Sequence, residues 1–253
     1  MNIVVVIKLV PDLVEELTID DSGKDLDRDW LRLIINEFDD HALEQAILIK
    51  EASGGQVTAV APDYEGTDDV LFAAYARGAD RLIKLVGDFD DANSHGLARA
   101  LESTVKDLQP DLILTGVQAH NDLDGSTGPL LAEYLAMPYV GYISDIYLSN
   151  GQCQVSKEFP GGLIAKMVVK LPAVIGVQAA KQPPRYVAIS KVRQAMKTAS
   201  IEEQEFGELD PSGGVEVIRM YQPESGERAT MLEGDEEEAA ARLVEIFQEQ
   251  GLL

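Results

Sequence analysis

The feature that most constrains the fold is an alternation of short apolar runs with helical patterns in the first half of the chain. The apolar runs cover residues 3–10, 57–61, 82–86 and 112–115. They do not carry a polar residue at every second position, which is typical of strands that are buried on both faces of a parallel sheet. Strands that alternate with helices through short connections form right-handed crossovers. The sequence therefore predicts an α/β fold with a doubly wound, mostly parallel sheet.

The stretch 116–131, which follows the fourth run, is the candidate ligand site of this sheet. It combines three glycines with acidic, amide and hydroxyl side chains and leads into an apolar helix pattern. Ligands of such sheets bind beyond the carboxyl ends of the strands, and the first N–H groups of a helix attract anions. We expect a nucleotide phosphate to be bound by N–H groups of residues 125–128 with the hydroxyls of Ser126 and Thr127. Asp122 and Asp124 would instead cap the helix or bind ribose hydroxyls. The alternative for the loop as a whole is a helix cap in an unliganded domain.

No motif for covalent or metal-dependent catalysis accompanies this loop. The sequence contains neither G-x-S-x-G, nor the P-loop pattern, nor the dinucleotide fingerprint. Its three histidines lack the spacing of metal ligands. Of these histidines, His120 lies in the loop and is a candidate for ligand contact.

Composition excludes several classes of protein. The chain has 253 residues, of which 44 are acidic and 21 basic, so its formal net charge is −23. Such a charge argues against binding to nucleic acid or to anionic membranes, which requires basic surfaces. No apolar run is long enough for an integral membrane segment, and the N-terminal run is interpreted as a first strand rather than a signal peptide. The single cysteine, Cys153, is expected to be a structural thiol in a cytoplasmic protein.

The pattern changes after Pro138. Strands are predicted over 140–147, 153–159, 164–169, 173–177 and 215–220, with turns at Asn150-Gly151 and Gly161-Gly162. A short helical or extended segment is expected over 191–200. The tail, 235–250, is predicted to be an amphipathic helix that docks either on its own domain or on a partner.

Residues 159–201 contain no Asp or Glu, although the rest of the chain is strongly acidic. Buried strands explain the lack of charge at 164–177, but they do not explain the basic residues between Lys181 and Lys197. The basic segment 181–197 is therefore interpreted as a contact surface for an acidic partner or a phosphate.

Short motifs spread over nearly the whole chain share their order and spacing with one known family. They are K-x-V-x-D at 8–12, N-x-F-D at 36–39, A-R-G-A-D-R at 76–81, G-x-Q-A at 116–119, T-G-P-x-L-A-E at 127–133, G-G-L at 161–163, K-L-P-A-V at 170–174 and P-R-Y at 184–186. Each motif alone is weak, but together they are specific. By these motifs the chain resembles the β subunit of electron transfer flavoprotein.

The resemblance implies an electron carrier subunit rather than an enzyme, on an adenine-nucleotide-hydrolase-like Rossmann-type fold with an added hairpin region and a C-terminal arm. It implies a heterodimer with an α subunit that holds most of the FAD. Electrons would come from acyl-CoA-type or related dehydrogenases, as in fatty acid oxidation, and pass to a membrane quinone oxidoreductase. The β subunit would bind AMP for structure; in a bifurcating member of the family it would bind a second FAD.

The resemblance also implies a division into domains, a set of nucleotide-binding positions and a set of partner-docking positions. A nucleotide-binding domain would span 1–185, and a partner-recognition loop with a C-terminal arm docking on the α subunit would span 186–253. The nucleotide-binding positions implied are Val6, Asn36, Phe38, Asp39, Gln118, Ala119, Asp122, Gly125, Ser126 and Thr127. The partner-docking positions implied are Tyr186, Ile189 as an aliphatic anchor, Lys191, Arg193 and Lys197.

Two alternatives from other classes remain open. The first is a stand-alone protein of the same fold that binds or hydrolyses an adenine nucleotide. The second is a purely structural scaffold subunit.

Overall fold

The structure is a computed structural model that describes the chain except for ten residues. Those ten are Trp30, Asp90, Asp91, Leu123, Asn150, Gly151, Ser225, Glu227, Arg228 and Thr230. Contacts between residues divide the chain into two compact units, Met1–Ile218 and Arg219–Leu253.

The described residues of the first unit form a nine-stranded sheet and five helices. Its strands are β1 (Asn2–Val6), β4 (Gln56–Pro62), β5 (Arg81–Val86), β6 (Leu112–Gly116), β7 (Tyr139–Ser149), β8 (Gln152–Phe159), β9 (Leu163–Val169), β10 (Ala173–Val177) and β11 (Ile201–Glu205), and a small antiparallel pair is formed by β2 (Leu9–Pro11) and β3 (Leu33–Ile35). The helices are α1 (Glu37–Ser53), α2 (Thr67–Arg77), α3 (Ser94–Asp107), α4 (Thr127–Tyr134) and α5 (Ile189–Thr198).

The strand order across the sheet is β11-β5-β4-β1-β6-β10-β7-β8-β9. The strands from β11 to β7 are parallel to their neighbours, whereas β8 and β9 continue the sheet as an antiparallel extension. From β1 the chain first moves to β4 and β5 on one side and later returns to β6 on the other. The order of strands therefore reverses between β1 and β6, which is where ligands of open α/β sheets bind.

Hydrophobic residues are buried on both faces of this sheet. Ile3 and Val5 of β1 belong to a core cluster that includes Leu43 of α1, while Val4 belongs to a second cluster that includes Leu101 of α3. Successive residues of a strand point to opposite faces, so a strand that is covered on both sides needs an uninterrupted apolar run. The predicted doubly wound α/β fold is confirmed.

Several predictions about the second half were incomplete or wrong. Residues 201–205 form β11, an edge strand parallel to β5 that the sequence analysis did not identify. The strand predicted over 215–220 is absent, since the structure describes these residues without regular secondary structure and Ile218 is exposed. The segment 191–200, which was predicted to be either helical or extended, lies largely in the helix α5. The turn predicted at Asn150-Gly151 lies outside the described residues.

In the described part of the second unit there is one helix, α6 (Glu236–Glu249). Asp235 caps it, because its carboxylate accepts hydrogen bonds from the N–H groups of Glu237 and Glu238. Three acidic residues occupy the first turn, where the helix dipole favours negative charge. Docking of this helix and the division of the chain at Arg185 stay predictions. None of the helices in the described part of the chain is long and apolar enough to cross a membrane.

Candidate functional site

The site lies at the carboxyl ends of β1 and β6, and the carboxylate of Asp39 connects these two ends. Oδ2 accepts a hydrogen bond from the N–H of Lys8 at 2.9 Å, and Oδ1 accepts one from the N–H of Gly116 at 2.6 Å. Asp39 is only 2% exposed. Burial raises the pKa of Asp39 to about 6, although the charge of Lys8 and the hydrogen bonds oppose this rise. Asp39 therefore fixes the relative position of the two strand ends.

At Gly116 the first turn of α1 lies directly against the end of β6. A Cβ atom at this position would lie 2.5 Å from Oδ1 of Asp39 and 2.7 Å from Cβ of Phe38. A side chain at residue 116 would push the first turn of α1 away from the loop. The glycine is required for this contact.

The loop after β6 is held against the start of α1. The Nδ2 group of Asn36 donates to the backbone oxygen of Gln118 at 2.9 Å, and Asn36 itself is buried. The hydroxyl of Tyr142 donates to Oε1 of Gln118 at 3.3 Å. Tyr142 has a positive φ of 62°, which is uncommon for an aromatic residue. The sequence did not identify Tyr142 as a site residue. A tyrosine within an apolar strand pattern gives no sign of a positive φ.

Lys8 supplies a positive charge to the site. Its Nζ lies 2.6 Å from Oδ2 of Asp122, and both side chains are largely buried. This ion pair neutralises a carboxylate that would otherwise repel a phosphate. Sequence reasoning did not select Lys8, although a lysine at the carboxyl end of a buried strand was a usable signal.

Asp124 is also occupied by hydrogen bonds within the protein. Its Oδ1 accepts from the hydroxyl of Ser94 at 2.8 Å and from the N–H of Ser126 at 3.1 Å. Burial opposes ionisation, but these hydrogen bonds outweigh it and lower the pKa of Asp124. Ser126, the residue before α4, forms no side-chain cap hydrogen bond.

Two hydroxyls near the start of α4 are buried without a hydrogen-bond partner among the described residues. They are the Oγ1 atoms of Thr127 and Thr115. Most buried polar atoms in proteins are paired, so an unpaired hydroxyl indicates a missing partner. Thr127 is the first residue of α4, and the N-terminal N–H groups of a helix favour an anion such as a phosphate. Of the nearby acids, Asp122 is neutralised by Lys8, whereas Asp124 keeps its negative charge and is stabilised by neutral hydrogen-bond donors.

The remaining predicted positions surround this loop. Val6 and Ala119 are buried, Phe38 lies in the first turn of α1, and Gly125 adopts a positive φ of 62°. His120 is turned toward the backbone, with its Nε2 2.8 Å from the oxygen of Pro11. Among the described residues, no group of His, Cys, Asp and Glu has an arrangement that could hold a metal ion.

The predicted docking residues form a separate exposed surface at α5. Ile189 is the first residue of the helix and is 66% exposed, and Tyr186 is 87% exposed. The side chains of Lys191, Arg193 and Lys197 are exposed and form no ion pair within the described part of the chain. The exposed apolar side chain of Ile189 thus lies on the same short helix as three exposed basic side chains.

Comparison with known proteins gives consistent results over almost the whole chain. The family model "Electron transfer flavoprotein domain" matches residues 26–209. The electron transfer flavoprotein subunit beta of Methylophilus methylotrophus is 33% identical over 264 residues, which cover 98% of each chain. The subunit beta of Bacillus subtilis is 30% identical and covers 99% of this chain and 98% of its own. That of Thermoanaerobacterium thermosaccharolyticum is 31% identical and covers 97% of both.

Proposed function

The chain belongs to the electron transfer flavoprotein family as a β subunit, and from this premise we propose that it is half of a heterodimeric electron carrier. Its partner is an α subunit, which holds most of the FAD, while this chain supports the flavin from one side. The observation that supports this role most directly is the similarity to β subunits over 98% of the chain. The FAD supplies the redox chemistry when it is bound, so this chain needs no catalytic residues of its own.

The proposed ligand of this chain itself is AMP. The N-terminus of α4, with the hydroxyls of Ser126 and Thr127, would bind the phosphate. Asn36 and Asp39 hold the loop and α1 in place around the ligand, and Lys8 compensates the charge of Asp122. A nucleotide in this position lies where the strand order reverses and contributes to stability rather than to electron transfer.

The proposed donors are acyl-CoA-type or related dehydrogenases, and the proposed acceptor is a membrane quinone oxidoreductase. Both would be contacted through Ile189 and the basic residues of α5. One exposed aliphatic side chain with surrounding charge suits a carrier that must bind several partners weakly and release them. A reducing cytoplasm is the proposed location, because the protein contains one buried free thiol, Cys153.

The test is electron transfer by the heterodimer prepared with its α subunit. We expect an acyl-CoA dehydrogenase from the same organism, supplied with its substrate, to bleach the visible absorption of the heterodimer. Ile189→Ala should slow this reaction while the flavin content stays the same. Loss of flavin in Ile189→Ala would show that the residue is structural, and a heterodimer that no such dehydrogenase reduces would contradict the proposed donors.

A further inference from the structure

The segment between β10 and α5, residues 178–188, has no regular secondary structure, yet it is fastened to one face of α1. The N–H of Ala180 donates to Nδ1 of His41 at 3.1 Å. The N–H of Lys181 donates to Oε1 of Gln45 at 3.1 Å. Residues four apart on a helix lie on the same face, so these two side chains present adjacent acceptors to the connecting segment.

Arg185 makes the strongest of these attachments. Its guanidinium donates to Glu44, with Nη2 2.8 Å and Nε 2.9 Å from Oε1, and its backbone N–H donates to Oε2 at 3.0 Å. The other side of the guanidinium binds Glu51, with Nη1 2.6 Å from Oε1. The hydrogen bonds that it donates to Glu51 and Glu44 raise the pKa of Arg185 well above its ordinary value. Such paired, planar contacts fix the direction of an arginine side chain.

Glu44 and Gln45 are 1% and 2% exposed. Acidic and amide side chains on a helix are normally solvated, and they are buried only when partners are provided. The connecting segment provides these partners. The polar face of α1 is therefore adapted to receive residues 180–185 in one position.

The docking surface is held between two fixed points. Arg185 is the first, and the second is α5 itself, which packs on α2 with Ala195 buried. Only three residues separate Arg185 from Ile189, so the two Cα atoms lie within about 14 Å of each other. The exposed side chains of Tyr186 and Ile189 are thus carried on a short connection whose ends are both attached.

We propose that Arg185, through Glu44 and Glu51 on α1, is a positioning residue that sets the placement of the anchor Ile189 for partner binding. The inference rests on the proposed function, because Ile189 has no role to be positioned for in a protein without redox partners. A fixed anchor binds without first paying the entropy of ordering the segment. Loosening it should weaken partner binding and leave the flavin and the electron-transfer step itself unchanged.

The experiment compares wild-type heterodimer with Arg185→Lys, which keeps the charge but loses the planar paired contacts. The donor is an acyl-CoA dehydrogenase from the same organism, and the heterodimer is the varied substrate. We expect the KM for the heterodimer to rise about tenfold with unchanged kcat and unchanged flavin content. Hydrogen exchange of the Ala180 and Lys181 amides should become faster at the same time.

Two further variants make the result specific. Arg81→Lys is the matched control, because Arg81 makes a similar two-pronged contact with Glu202 between β5 and β11 and does not contact the connection between Arg185 and Ile189. Its KM should equal that of wild type. Adding Arg185→Lys to Ile189→Ala should raise KM little further, because the contact that Arg185 positions is already lost.

An unchanged KM in Arg185→Lys, or equal effects of Arg185→Lys and Arg81→Lys, would overturn the inference. Loss of flavin or of the α subunit in Arg185→Lys would also overturn it, since the arginine would then hold the heterodimer together. If the wild-type heterodimer carries no flavin or accepts no electrons, the proposed function itself fails, and this inference fails with it.

Discussion

The carboxylate of Asp39 should make the stability of this protein depend on pH in the direction opposite to that of most acidic residues. The informative change is Asp39→Asn, which keeps the shape but has one acceptor and one donor in place of two acceptors. One of the N–H groups of Lys8 and Gly116 then loses its partner. A buried group left without a partner costs about 1–3 kcal/mol, and this cost does not vary with pH.

The pH-dependent part follows from the pKa of Asp39, which burial raises from an ordinary value of 3.8 to about 6. The folded state therefore holds this proton more tightly than the unfolded state. The stabilising effect of the proton is fully present below pH 3.8 and is lost as the pH rises through about 6. A difference of this size between the two pKa values corresponds to about 3 kcal/mol.

The assay is denaturant unfolding of wild type and Asp39→Asn at a series of pH values from 4 to 7. Because both proteins share every other titrating group, the difference between their free energies of unfolding isolates Asp39. We expect wild type to lose about 2.4 kcal/mol relative to Asp39→Asn between pH 4 and pH 7, because the lower part of the titration lies below this range. A difference that stays constant, or that grows with pH, would refute the conclusion that burial dominates over the hydrogen bonds and Lys8.

Three further predictions concern single positions. Thr127→Val should weaken AMP binding about tenfold, as measured by calorimetry, without destabilising the unliganded protein. The reason is that the hydroxyl that it removes has no partner among the described residues. A loss of stability with unchanged affinity for AMP would contradict this. Gly116→Ala should lower the free energy of unfolding by about 1–3 kcal/mol through overpacking. Gly207→Ala is the control and should have little effect, because a Cβ at residue 207 meets nothing within 4 Å. Equal effects of the two substitutions would count against the close contact between α1 and residue 116. Cys153 is buried and burial raises its pKa to about 11, so a thiol reagent should label it only after denaturation, and rapid labelling of the native protein would be the opposite result.

The parallel core could be predicted from the sequence because its strands are buried on both faces. Such strands consist of apolar residues and are recognisable without any knowledge of their neighbours. The edge strand β11, Ile201–Glu205, gave no such signal, since three of its five residues are glutamates. It pairs with β5 along its whole length, and Glu202 and Glu203 form ion pairs with Arg81 and Lys84 of that strand. Such pairing between distant residues is not visible in a local pattern.

The candidate site was predicted in its location but not in its electrostatics. The loop at 116–131 was identified from its glycines and its position after a strand. The sequence does not show which partners its acidic residues have; in the structure Lys8 pairs with Asp122, and Ser94 donates to Asp124. These partners are separated by 114 and 30 residues in the sequence. Only the fold brings them together.

The central claim is that this chain is a nucleotide-binding β subunit of a flavin-containing heterodimer. The most direct measurement is to purify it together with its α subunit, record the visible spectrum and quantify the nucleotides released on denaturation. We expect a yellow heterodimer with one FAD and one AMP. Two FAD per heterodimer would contradict AMP binding and favour a bifurcating member of the family, and a colourless single chain that hydrolyses ATP would contradict the claim altogether.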